Sequence, residues 1–385
     1  MIRFFRAGAY YSSFYQSYYF NNKNNDINIP YNESLKNIFN QKILEADFFK
    51  ENLELIEGYI CEEVLSNDEI LQKKWALKNN VYFDETNWYF QILKSQLLKF
   101  KPNVFYIGDQ KILSNTFINE IRNEIPELKL LIVWDGIDAA KYELFKLADI
   151  VLTPADFITK KYIANGFKSY TLPFAFDESI ISMLKPNNNK VDACFVGQIS
   201  LFDNGHFGRL DLLLFLKNKV NIDLHLSGNT IIYKKPFSRE TLSLIKNVGV
   251  KATYEVFKLG RSSNDSLFGM NMYQKFYDSK IVLNKHIDLA QDIAGNIRLF
   301  EATGVGSCLL TDYKTNIEEY FQIDKEVMVY KDSADCLNKI NFLLRNEKIR
   351  NSIAEAGQKR TLERYNYKNR MRKLSNIILN NLNRI

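Results

Sequence analysis

Short apolar runs alternate with segments whose apolar residues recur every three or four positions, from one end of the chain to the other. Strand-like and helix-like periods in strict alternation are the pattern of parallel α/β architecture. In the first half, strands are predicted at Ile2–Phe5, Tyr59–Leu65, Asn103–Ile107, Lys129–Trp134, Ile150–Thr153 and Ser169–Leu172. Helical periods fall near Tyr31–Asn52, Asp68–Lys78, Asn87–Lys99, Ser114–Glu124, Lys141–Lys146 and Phe157–Asn165. Several strand ends run directly into Gly or Asp, and open parallel sheets bind ligands outside those carboxyl ends.

The run Lys185-Pro-Asn-Asn-Asn-Lys190 breaks the pattern with turn and linker chemistry. A second series follows, with strands predicted near Asp192–Val196, Asp223–Leu226, Lys251–Tyr254, Ile281–Asn284, Cys308–Thr311 and Val327–Tyr330. Helices are predicted near Arg209–Lys217, Arg239–Asn247, Asn271–Asp278, Asn296–Thr303, Ile317–Phe321, Ala334–Arg345 and Glu347–Tyr365. A last helical stretch, Lys368–Asn383, closes the chain. No repeat of solenoid or propeller period occurs. The expected organisation is two Rossmann-like, doubly wound domains facing across a cleft: residues 1–186, residues 187–365, and a terminal helix, 366–385, packing back toward the first domain.

Composition narrows the classes. With 385 residues the chain has room for two cores. Apolar residues at 46% and charged residues at 25% are ordinary for a globular protein, and the 28 Phe and 22 Tyr suit an AT-rich genome. The net charge of +6 is scattered, so no nucleic-acid stripe forms. The densest basic stretch is the tail from Lys359 to Lys373, either a solvated helix face or a weak contact with anionic lipid. Four cysteines, Cys61, Cys194, Cys308 and Cys336, lie far apart with no metal-ligand spacing, as expected in a reducing cytoplasm. The N-terminus lacks an apolar h-region, and no run approaches 18 apolar residues.

The richest segment runs from Asn284 to Asp312. A strand ends at Asn284, a polar loop follows, and a helix opens near Gly295-Asn296, with Arg298 and then Glu301 in its first turns. A helix N-terminus beside an arginine suits a diphosphate, and a carboxylate one turn on can take both hydroxyls of a ribose. The same spacing equally makes a plain i,i+3 Arg–Glu pair on a helix surface.

Here the chain begins to resemble a family. The run Asn296-Ile-Arg-Leu-Phe-Glu-Ala-Thr-Gly-Val-Gly306, then Leu310-Thr-Asp312, Glu326-Val-Met-Val-Tyr330 and Ile353-Ala-Glu-Ala-Gly357, resembles the donor-binding half of GT-B glycosyltransferases. The branch it looks most like includes the spore-maturation-type transferases. Weaker similarity extends through Phe195-Val-Gly197 and Asp278–Asn284, and into the first half through Asn67–Gln72 and Lys101–Val104. The resemblance implies a nucleotide-diphosphate sugar as donor substrate, with no cofactor, and a glycan, lipid-linked or protein acceptor in bacterial glycoconjugate synthesis. It implies Arg298 on the diphosphate, Glu301 on the ribose, and Gly197 and the Gly304–Gly306 turn close to the nucleotide. One position departs: retaining relatives carry a Glu eight residues before the ribose-binding one, and Ile293 stands there, beside Asp292.

Other candidates come from position alone. His206 and Arg209 lie at a helix start after Gly197, where charge could face a phosphate or merely decorate a surface loop. Asn284 and His286 sit at a strand end; His225 reads as a core residue. The first domain contains no His, so an acceptor-activating base there would be a carboxylate. Asp135 comes first because it follows the apolar strand to Trp134; Asp138, which also suits an N-cap, and Asp109 are the others. Gly8 leaves room for an acceptor at the end of the first strand. No DxD pair or His/Cys cluster offers a metal site, and neither GxxxxGK[ST] nor an early GxGxxG is present. Two alternatives accompany the transferase reading: a sugar-nucleotide epimerase or hydrolase of the same fold, and a catalytically silent sugar-nucleotide-binding subunit.

Overall fold

The computed structural model describes residues 1–21, 29–136, 142–187, 190–202 and 205–383. They divide into two compact units, Met1–Pro173 with Tyr367–Ile385, and Phe174–Asn366.

The first unit is built on six parallel strands: β1 (Ile2–Gly8), β2 (Tyr59–Leu65), β3 (Val104–Ile107), β4 (Leu130–Trp134), β5 (Ile150–Thr153) and β6 (Ser169–Thr171), in the order β2-β1-β3-β4-β5-β6. Every residue of β3, β4 and β5 is buried, which explains their uninterrupted apolar runs: helices cover both faces of the sheet. The second unit has five parallel strands, β7 (Val191–Ile199), β8 (Ile222–Gly228), β9 (Ser279–Asn284), β10 (Cys308–Asp312) and β11 (Met328–Tyr330), in the order β11-β10-β9-β7-β8. Both sheets therefore reverse winding once, between β1 and β3 and between β7 and β9, and such switch points are where open α/β sheets leave a crevice. All four cysteines are free and buried.

The structure differs from the sequence expectations in four places. Lys251–Tyr254 is not a strand but part of the helix Arg239–Gly260, which bends at Gly249 (φ 84°) and buries Thr253, Val256 and Leu259 at a spacing of three. Tyr31–Asn52 is two helices, Tyr31–Phe39 and Phe48–Leu53. A helix unforeseen from periodicity occupies Ser12–Asn21. Residues 174–186 belong to the second unit: Phe176 N–H donates to Tyr365 O (2.8 Å), and Lys185 N–H donates to the Gln274 side chain (2.8 Å). The boundary therefore follows Pro173 rather than falling in the Pro-Asn run at 186.

The last helix, Tyr367–Leu382, lies in the first unit, where its Arg370 is buried and donates to Glu45 (2.6 Å). Arg370 is therefore no part of an exposed basic face. Glu45 also accepts from Arg6 of β1 (2.7 Å), and Arg6 donates to Glu63 of β2 (2.8 Å). Burial alone would raise both carboxyls. Arg370 and Arg6 together outweigh it at Glu45, which titrates below the ordinary range. At Glu63 burial outweighs Arg6, its single arginine partner, and the carboxyl is pushed up to about 7. Between the ordinary Glu value and 7, native Glu63 holds a proton that the unfolded chain has released, so stability must fall as pH rises through that window. We expect the first unit to lose about 1–3 kcal/mol between pH 5 and 8 from this group. Melting curves across that range check it: the slope flattens in Glu63→Gln, and an equally steep slope in that variant would assign the effect elsewhere.

Candidate functional site

The crevice of the second unit opens at the carboxyl ends of β7 and β9. The helix Phe207–Leu216 starts there, and Asp288 holds its first turn by accepting from Gly208 N–H (2.9 Å). A Cβ at Gly208 would stand 2.8 Å from that carboxylate, so a side chain there would push the cap aside. Arg209 then projects across the switch point. One terminal nitrogen donates to Gln198 O of β7 (2.6 Å) and the other to Lys285 O just past β9 (2.7 Å). The guanidinium is buried, and among the described residues no carboxylate lies within ion-pairing distance. Burial, followed by the nearby positive charge of Arg298, lowers its pKa to about 10. At Gly197 a Cβ would crowd the Phe195 ring (3.0 Å) and only touch the guanidinium (3.7 Å).

Around Arg209 the β9 end is densely ordered. Asn284 donates to Thr311 (2.9 Å), and Asn296 donates to Asn284 (3.0 Å). His286 Nδ1 pairs with Asp312 Oδ1 (2.7 Å), and Asp312 also faces Lys285 (3.2 Å) and Lys314 (3.5 Å). Burial would raise Asp312, but His286 and Lys285 hold it well below the carboxylate range. Three side-chain atoms here are buried without a partner among the described residues: Arg209 Nε, His286 Nε2 and Asn296 Oδ1. Buried polar atoms are normally satisfied, so such a group at one sheet edge calls for a ligand or ordered water.

Arg298 and Glu301 open the helix Arg298–Gly304. They form the i,i+3 pair that their spacing left open (2.6 Å), and the pair is largely buried rather than on the surface. Arg298 also lies over the Phe276 ring (4.7 Å), and Tyr273 OH donates to Glu301 (3.3 Å). Burial raises Glu301, against the pull of Arg298. Gly304 ends that helix, where a Cβ would enter the Phe176 ring, and the turn that follows has Gly306 at φ 81°. His206 is neutral rather than charged, because burial and then Arg209 lower it to about 3. Its Nδ1 accepts from Ser200 N–H (2.8 Å), which fixes the loop after β7. His225 is a core residue, with Nδ1 against Asp265 O (2.8 Å).

In the first unit, Asp135 is fully buried and accepts from Tyr162 OH (2.7 Å), so it is not presented to an acceptor as expected. Tyr162 belongs to the helix Asp156–Ala164, whose packing over β5 and β6 no local pattern around Asp135 reveals. Asp138 lies outside the described residues. Asp109 follows β3 at the switch point and accepts from Ser66 Oγ (2.9 Å) and Tyr89 OH (2.7 Å). Periodicity had not singled out Ser66 or Tyr89. Gly8 at the end of β1 accommodates the Arg6 guanidinium, which would stand 3.2 Å from a Cβ there. Among the described residues, no group of three His, Cys, Asp or Glu could hold a metal ion, and no helix is long and apolar enough to cross a membrane.

Residues 209–376 match the family model described as Glycosyl transferase-like. No curated protein sequence matches the chain at a significant level. Among solved structures it is similar to the Anabaena protein HepE in complex with UDP and glucose, with 11% identity and a TM-score of 0.61 over 99% of this chain and 100% of that one. Sucrose-phosphate synthase from Thermosynechococcus elongatus is 9% identical, with a TM-score of 0.59 and both chains fully covered. A glycosyltransferase from Rickettsia africae is 9% identical, with a TM-score of 0.57 over 99% of this chain and 98% of that one. Two parallel α/β units with one switch point each, aligned end to end with these structures, give the chain the GT-B fold, and residues 209–376 form a glycosyl transferase-like domain.

Proposed function

We propose that this protein is a metal-independent glycosyltransferase of the spore-maturation-type branch, acting in the cytoplasm. It moves a sugar from a nucleotide diphosphate to an acceptor hydroxyl in bacterial surface glycan or glycoconjugate synthesis. The observation that carries this reading is the cluster of unsatisfied buried atoms around Arg209, at the switch point of the unit holding the glycosyl transferase-like domain. A guanidinium braced by two backbone carbonyls, with no ion-pair partner among the described residues, is an anion site built before the anion arrives. The diphosphate gains charge as its bond to the sugar breaks, and a donor fixed in advance stabilises that charge without reorganising. In this reading Arg209 leads on the diphosphate, with Asn296 and His286 Nε2 beside it. Glu301, steadied by Arg298, meets the ribose. The likeness to HepE in its UDP-and-glucose complex supports a sugar nucleotide as the ligand class.

Calorimetry of the full chain against UDP-, GDP-, dTDP- and CMP-sugars tests the reading. One nucleotide should bind with a defined stoichiometry, and sugar should pass to an added acceptor. Binding of none of the four would overturn it. Product formed only as free sugar or an epimer would replace transfer by hydrolysis or epimerisation, and binding without any product would leave a silent subunit.

Chelation gives a second check. The described carboxylates and histidines provide no metal-ligand set, and Arg209 supplies the charge on the leaving group, so turnover should persist in EDTA. Complete loss in EDTA, reversed by Mn²⁺, would require a metal on the diphosphate.

A further inference from the structure

The segment from Asn229 to Arg261 follows β8 at the edge of the second sheet. Its inner residues, Ile232, Leu244, Val256 and Leu259, are core. Its outer residues are unusual. Phe237 is 95% exposed at a turn, Leu242 63% and Ile231 54%. Single exposed apolar residues are common, but a fully exposed phenylalanine beside further exposed aliphatics marks an interaction surface. A groove of about 370 Å³ adjoins it, lined by Phe202, Ile231, Ile232, Arg239 and Ser243.

The charge around these side chains is mainly positive, with Glu240 the one carboxylate lining the groove. The segment contains seven Lys and Arg against two Glu. Lys235, Arg239 and Lys246 are exposed, while Lys234 is paired with Asp265 (2.5 Å). On the helix that begins at Arg239, Leu242 and Ile245 share one outer face, with Arg239 and Lys246 at its margin and the buried Thr241 and Leu244 on the opposite side. Aromatic and aliphatic tips bordered by flexible ammonium and guanidinium groups match a lipid interface: the apolar tips enter the headgroup boundary and the cations meet anionic headgroups. A protein partner would call for complementary carboxylates and a fixed shape, whereas these long basic side chains suit a fluid anionic plane.

We propose that the Ile231–Lys246 surface of the second unit docks on an anionic phospholipid membrane, with Phe237 as the inserting side chain. The surface is distinct from the basic C-terminal stretch, and the proposal does not depend on the donor chemistry. A membrane-docked enzyme would meet lipid-borne acceptors in two dimensions rather than three.

Co-sedimentation of the full chain with phosphatidylcholine vesicles, with and without phosphatidylglycerol, tests it. Binding is expected only with the anionic lipid, and it should collapse in about 1 M salt, where the screening length falls to about 3 Å. Phe237→Ser should weaken partitioning about tenfold or more, and each reversal among Lys235→Glu, Arg239→Glu and Lys246→Glu about fivefold or more. All four positions are exposed, so melting temperature and nucleotide binding should hold, which separates failure of this surface from failure of the donor site. Absence of binding to anionic vesicles overturns the proposal. So does binding that the four substitutions leave intact, or a lipid-independent dimer that Phe237→Ser dissolves, which would make a second copy the occupant.

Discussion

Replacing Arg209 with alanine should cost about 10²–10³ in transfer turnover. Its guanidinium spans Gln198 O and Lys285 O, so the side chain is positioned before any ligand arrives. Lysine should not rescue the loss. Its single ammonium cannot hold both carbonyls and still present a donor, because the rigid fork of arginine does both at once. Arg298→Ala should behave differently. Removing it leaves Glu301 buried without its ion-pair partner, and the first effect is on stability, most marked at neutral and higher pH where the carboxyl must be charged. Steady-state kinetics and melting curves on both variants separate the roles. If Arg298→Ala loses turnover at unchanged stability while Arg209→Ala turns over normally, the anion contact belongs to Arg298.

On the acceptor side, Asp109→Asn should reduce turnover by about 10²–10⁴ with donor affinity unchanged, if the reaction inverts and this carboxylate takes the acceptor proton. In a retaining reaction the same residue would only orient the hydroxyl, and the loss should be smaller. Its Oδ2 accepts from both Ser66 and Tyr89 at the end of β3, the place where the first unit's sheet reverses winding. Asp135→Asn should leave turnover per folded molecule near normal and cost about 1–3 kcal/mol of stability, because the carboxylate is a buried partner of Tyr162. In a domain of this size that is a fall of roughly 2–4 °C in Tm per kcal/mol. Measuring kcat, donor Kd and Tm on the two variants settles which carboxylate does chemistry. Normal turnover in both would move the base out of this sheet edge.

Sequence alone determined the strands and their order along the chain. In parallel sheets covered on both faces, each strand is a short apolar run, and Leu130–Trp134 and Ile150–Thr153 have no polar residue to blur the signal apart from a terminal threonine. It also determined the residue types at the second switch point, since Gly197, Arg209, Asn284 and Asn296 all lie at or just beyond strand ends. Lys251–Tyr254 shows the limit of that signal: a β-branched and aromatic run looks like a strand, but its Thr253 begins a buried row on a helix, and only packing against the segment Asn229–Lys234 and the helix Phe207–Leu216 decides between the two periods. The boundary after Pro173 was equally hidden, because it depends on Phe176 meeting Tyr365 and Lys185 meeting Gln274, contacts between residues far apart in the chain. The pairing of Arg298 with Glu301 was written in their spacing; its burial against Phe276 was not. Asp135 and Asp109 read alike in sequence, each an acid just past an apolar strand. Tertiary structure alone set them apart: both are buried and both take a tyrosine hydroxyl, but Asp109 lies where the winding of the sheet reverses, the place where open sheets leave a crevice, whereas Asp135 lies between β4 and β5, away from that point.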